Sequence, residues 1–95
     1  MEILINSNIV TIEGNMKSIS DFQVIKQGID GVILNNKSLI LNIVDSLSIT
    51  SSIIGYLNKL VLKDKIDLRM NIGDQQLLHL LDDLNLISTF KAKKA

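Results

Sequence analysis

Residues 38–57 read Ser38-Leu-Ile-Leu-Asn-Ile-Val-Asp-Ser-Leu-Ser-Ile-Thr-Ser-Ser-Ile-Ile-Gly-Tyr-Leu57. The first part, Ser38 to Val44, is almost continuously apolar, which suits a central strand covered on much of both faces. Asp45-Ser46 ends it. Thr50, Ser51 and Ser52 then offer hydroxyls for capping a helix, and Ile53, Ile54, Leu57, Leu60 and Val61 form its apolar stripe. A strand that hands over to a helix is the unit of parallel sheets, because parallel neighbours need a crossover between them.

The flanks repeat the unit. Downstream, Lys63-Asp64-Lys65 is a charged turn. Ile66, Leu68, Met70 and Ile72 then alternate with Asp67, Arg69 and Asn71, a strand with one wet face. Gly73 breaks it, Asp74 caps a third helix, and Leu77, Leu78, Leu81 and Leu84 are that helix's apolar stripe. Residues 87–90, Ile-Ser-Thr-Phe, are expected to form a last short strand, and Lys91 to Ala95 a solvated basic fray. Upstream, residues 2–5 and 9–13 read as two short strands joined at Asn6-Ser7-Asn8, a hairpin. A helix over roughly 21–35, capped by Ser20 or Ser18, carries Phe22, Ile25, Ile29, Val32 and Ile33. Gly28 and Gly31 weaken it by about 1 kcal/mol each relative to Ala. The expected fold is α/β, in the order β-β-α-β-α-β-α-β. Its sheet is mostly parallel, with helices mainly on one side.

The 95 residues bound the chain to one domain, residues 1–95. Ten Lys+Arg balance ten Asp+Glu, so no basic surface for nucleic acid is expected. Three aromatic rings, Phe22, Tyr56 and Phe90, leave nothing for base stacking. With no Cys and one His, thiolate metal sites, disulfides and a His cluster are excluded, which fits a reducing cytoplasm. The amino-terminal residues lack a signal peptide's basic region, and no apolar run reaches the roughly 20 residues of a spanning helix. A cytoplasmic protein without membrane insertion is expected.

Catalytic and cofactor signatures are missing. The five glycines have no phosphate-loop or dinucleotide spacing. Asp82 and Asp83 diverge by about 100° on a helix, so they read as a solvated face. His79 reads as a lone surface or hydrogen-bonded histidine. Thr50-Ser51-Ser52 stands apart. A helix start presents free N–H groups and partial positive charge, which favour a phosphate. A phosphoserine there adds about −1.5 to −2 charge. Ordinary capping is the competing reading of the same three hydroxyls.

The segment from Ser38 to Leu57 resembles the heart of STAS domains, the bacterial anti-sigma factor antagonists and their relatives. There an apolar strand and a short loop precede Asp-Ser-Ser/Thr-Gly-Leu-Gly at a helix start. The stretch from Ile66 through Gly73-Asp74 to Leu84-Asn85-Leu86 is similar to the family's next strand, helix and turn, and the element order matches along nearly the whole chain. The resemblance implies that Ser52, with Ser51 its neighbour, falls on the hydroxyl that a partner kinase phosphorylates. It implies that Gly55 permits close helix packing. Thr50 stands where the family has Asp, Ile53 where it has Gly, and Lys17 where a loop aspartate falls. Two acids are thus missing near the site, one of them replaced by a cation.

The expected function is a non-enzymatic regulatory protein-binding module, switched by phosphorylation of Ser52 and docking an anti-sigma-factor-type kinase. Lys17, Thr50, Ser51, Ser52, Ile53, Ile54 and Tyr56 are the expected partner surface. Ile53 and Ile54 are expected as an exposed apolar patch that binds a partner or self-associates, the chain being a monomer or a weak homodimer. The alternative is a non-phosphorylated accessory subunit of a transport ATPase, for example one moving phospholipids. No cofactor is implied by either.

Overall fold

The computed structural model describes residues 1–95 as a five-stranded mixed sheet with four helices. The strands are β1 (Glu2–Asn6), β2 (Ile9–Glu13), β3 (Ser38–Ile43), β4 (Asp67–Ile72) and β5 (Ala92–Lys94). The helices are α1 (Ile19–Ile33), α2 (Ser51–Leu62), α3 (Gln75–Asp83) and α4 (Ile87–Phe90). Sheet order is β1-β2-β3-β4-β5, antiparallel for the first pair and parallel for the others.

That unreversed order decides where the helices lie. Parallel strands are joined by right-handed crossovers, so successive crossovers running one way along a sheet cover the same face. The alternation of burial agrees. Val10, Ile12, Leu39, Leu41, Ile43, Leu68, Met70 and Ile72 are buried together with Ile25, Ile29, Leu57, Leu60, Leu77 and Leu81 from the helices. The side chains between them on the strands, Thr11, Asn42, Arg69, Asn71 and Lys93, lie on the other, open face. A reversing strand order would have opened a ligand crevice at the switch point, and this sheet has none.

The caps fall where hydroxyls and carboxylates are available. Ser18 caps α1 in a reciprocal box with Asp21, Thr50 caps α2, and Asp74 caps α3. Asp74 accepts from the amides of Gln76 and Leu77.

The carboxy-terminal end corrects the expected strand at 87–90. These residues form the single-turn helix α4, and the last strand lies further on, in the basic tail expected to fray. Asn85 (φ 59°) ends α3 in the left-handed region, and the Leu86 amide returns to the Leu81 carbonyl. The chain then turns once, which drops Phe90 into the core with no exposure. Lys91 (φ 48°) redirects it, and Ala92 to Lys94 pair parallel with β4. The spacing already carried this signal: Ile87 and Phe90 are three apart, a helical interval, whereas Ala92 is the inward residue between two outward lysines.

Candidate functional site

The β2–α1 loop, residues 14–18, and the β3–α2 loop, residues 44–50, leave the sheet at the same end and are tied side by side. The Gly14 amide donates to Asp45 Oδ1 at 2.7 Å, and the Leu47 amide donates to Asn15 Oδ1 at 2.9 Å. Between them, the Met16 amide donates to Ser46 Oγ at 3.0 Å, and that hydroxyl donates to the Ser48 carbonyl at 2.8 Å. Ser46 is the only buried polar residue, and both its bonds hold loop backbone. Met16 is fully buried beneath it. The two loops therefore form one ledge, anchored by a side chain below and bonded across the top.

Gly73 fixes the ledge from the third side. Its amide donates to the Ile43 carbonyl at 2.8 Å, and a Cβ there would lie 1.9 Å from the Val44 carbonyl oxygen. Only glycine lets β4 leave the sheet this close to the start of the β3–α2 loop.

On this ledge Lys17, Ser51 and Ser52 are exposed, and Thr50 is half-buried. Thr50 Oγ1 accepts from the Ile53 amide at 3.3 Å, so the capping role falls to Thr50. Ser51 and Ser52, at the first two helical positions, stand in solvent beside the helix's free amides. No acid occupies the first turn of α2. Asp21, four residues beyond Lys17, accepts from the Lys17 and Ser18 amides at 3.1 and 3.3 Å. The Lys17 amide bond, helped by the amide and hydroxyl of Ser18, holds the Asp21 carboxyl below its ordinary range.

Other expected surface residues lie inside. Ile53 is buried among the core residues, so the expected exposed patch of Ile53 and Ile54 does not form; Ile54 is half-buried against that core. The helical stripe explains this, because Ile53, Leu57 and Leu60 recur on the face toward the sheet. Tyr56 is also buried, at the α1–α2 contact. Its ring meets Phe22 edge-on at 6.2 Å between centroids, and its hydroxyl donates to the Asp30 carboxylate. Burial, reinforced by that carboxylate, pushes the Tyr56 hydroxyl well above its ordinary value. Burial opposes ionisation of Asp30, yet the bonds from Lys26 and Tyr56 hold its carboxyl below its ordinary value. Tyr56 is a clamp between helices. Gly55 points away from any neighbour, with nothing within 4 Å of an added Cβ, so it serves no close helix packing.

The ledge has members that the sequence reading passed over. Ile19 is 78% exposed at the start of α1, and Val44 and Leu47 are 48% and 45% exposed on the β3–α2 loop. These apolar side chains lie at the same end of the sheet as the hydroxyl pair. Val44 read as the end of the buried strand, although it stands one step beyond the last buried residue, Ile43.

No group of His, Cys, Asp and Glu is arranged to hold a metal ion. No helix is long and apolar enough to cross a membrane. Comparisons with protein-family models, with curated proteins and with solved structures gave no match.

Proposed function

We propose that the chain is a divergent STAS-type regulatory module that docks a protein partner on the ledge and is switched by phosphorylation of Ser52. The observation that carries this reading is the pair of solvent-facing hydroxyls at the start of α2. At the same end of the sheet, Ile19 at the start of α1 and Val44 and Leu47 on the β3–α2 loop are exposed, and that loop is bonded to the β2–α1 loop. Pre-formed loops bind at lower ordering cost, and exposed apolar side chains supply contact area. A phosphate at a helix start is favoured by the helix dipole, so the modification leaves the fold intact and changes the charge that a partner meets.

A second reading is favoured by Thr50. In place of the family's acid it supplies a neutral cap, and the apolar side chains offer a contact surface that needs no phosphate. On that reading the module is a constitutive accessory subunit of a transport ATPase.

The test is affinity capture with the wild-type, Ser52→Ala and Ser52→Asp chains, with the intact mass of the chain recovered from cells. An anti-sigma-type kinase held by wild type and released by Ser52→Asp, with one phosphate lost in Ser52→Ala, supports the switch. A transport ATPase held equally by all three supports the second reading. Capture of neither kind of partner, with no added phosphate, overturns both.

A further inference from the structure

The open face of the sheet is electrically polarised, and its acidic end is built against the chain's own stability. Glu2 on β1 stands directly opposite Glu13 on β2, and like charges in that position are destabilising. Diagonally across the face, Arg69 on β4 and Lys91, one step before the Met70–Ala92 pair, lie side by side. With Lys93, Asn71 and Ile40 they line a shallow hollow of about 390 Å³. A single carboxylate, Asp67, serves two of these cations, at 2.8 Å from Lys91 and 3.8 Å from Arg69. At the acidic corner neither glutamate is in an ion pair, and Asp45 adds a further carboxylate through its bond to the Gly14 amide. Each corner carries an excess of one sign in a chain whose net charge is zero.

Between the corners the face is neutral. Leu4, Thr11, Asn42 and Asn71 form one uncharged row across four strands, which meets the basic corner at Lys93 on β5. The Asn71 amide donates to Asn42 Oδ1 at 2.7 Å, so this middle is already satisfied within the chain.

We infer that the open face binds a second copy of this chain, face to face about a two-fold axis. An axis lying in the face, along the other diagonal and perpendicular to the line that joins the charged corners, exchanges those corners. Arg69, Lys91 and Lys93 of one copy then meet Glu2 and Glu13 of the other, twice over, in the self-complementary manner of a two-fold interface. The strands of the two sheets cross at a large angle, which is one of the two packings that sheets adopt. Five strands about 4.8 Å apart and three to six residues long give a face of roughly 400 Å² per copy. That is about half the area each partner gives to a standard stable interface. The dimer is accordingly weak and depends on its charges.

Sedimentation equilibrium across protein concentration, at about 20 mM and about 500 mM salt, tests this, since screening is strong only at the higher value. The expected result is a concentration-dependent dimer at low salt, weakened at least tenfold at high salt. The doubly reversed chains, Glu2→Lys with Glu13→Lys and Arg69→Glu with Lys91→Glu, are each monomeric, and an equimolar mixture of the two restores dimers. Should a double reversal fail to fold, Glu13→Lys and Lys93→Glu, both at exposed positions, give the same reading singly and mixed. A chain that stays monomeric throughout, a dimer indifferent to the reversals, or a mixture that does not associate overturns the inference.

Discussion

An added Cβ at Gly73 would meet the Val44 carbonyl at 1.9 Å, whereas one at Gly31 or Gly55 would meet nothing within 4 Å. The three glycines therefore predict opposite outcomes for the same substitution. Gly73→Ala forces two backbones apart and is expected to cost about 2–4 kcal/mol in urea unfolding. Gly31→Ala and Gly55→Ala, inside helices and facing solvent, are expected to gain about 0.5–1 kcal/mol each. A gain of 1 kcal/mol raises Tm by roughly 4–8 °C in a domain of this size. Gly28 is different again, since a Cβ there would lie 3.0 Å from Ile3 Cδ1 and 3.1 Å from Ile5 Cδ1. The helix accepts a weak former so that β1 can lie close. Tyr56→Phe removes the hydroxyl that donates to Asp30, at an expected cost of about 1–2 kcal/mol. The pH signs follow from the shifts. The Asp30 carboxyl is lowered from 3.8, so its contribution is present above that value and is lost as pH falls through the lower folded value. The Tyr56 hydroxyl is raised from 10.0, so its contribution is complete below that value and lost as pH climbs above it. Unfolding followed from pH 7 to each extreme should show both losses, and Tyr56→Phe should abolish the alkaline one.

Helix α2 begins with three hydroxyls, of which only Thr50 is used for capping. Ser52→Asp places a carboxylate in a first turn that has none, and is expected to stabilise the fold by about 0.3–1 kcal/mol, measured by thermal unfolding. A loss of stability would show that the position does not accept negative charge. Strand β5 carries a second prediction. Removal of residues 92–95 takes away Ala92, 8% exposed against the core, and bares the edge of β4. Cooperative unfolding should then weaken sharply, whereas loss of a fray would be silent. The elements differ in how openly the sequence declared them. Alternation at 66–72 and the leucine stripe at 77–84 each have one dominant period, and strand β4 and helix α3 lie there within a residue or so. Ile87 to Phe90 is one turn long, too short for a period to outweigh the β-branched residues in it. In the ledge the exposed hydroxyls were legible from the cap signal. The ties from Asn15, Asp45 and Ser46 were not, because each joins residues about thirty apart in the chain.

Across the whole molecule, every strand pairs only with its neighbours in sequence, and the two outer strands each have one partner. Amide exchange is therefore expected to be slowest in β2, β3 and β4, which are bonded on both sides, and faster in β1 and in three-residue β5. The same order sorts the connections. Each turn that follows a parallel strand lies at the ledge, and each turn that follows α1 or α2 lies at the opposite end. Lys63, just beyond α2, is exposed and stands about 18 Å along that helix from Ser51. This gives the protein a natural handle. A dye or an inserted tag at the Lys63–Lys65 turn can report on the molecule, or tether it to a surface, while the ledge with Ser52 points away into free solution.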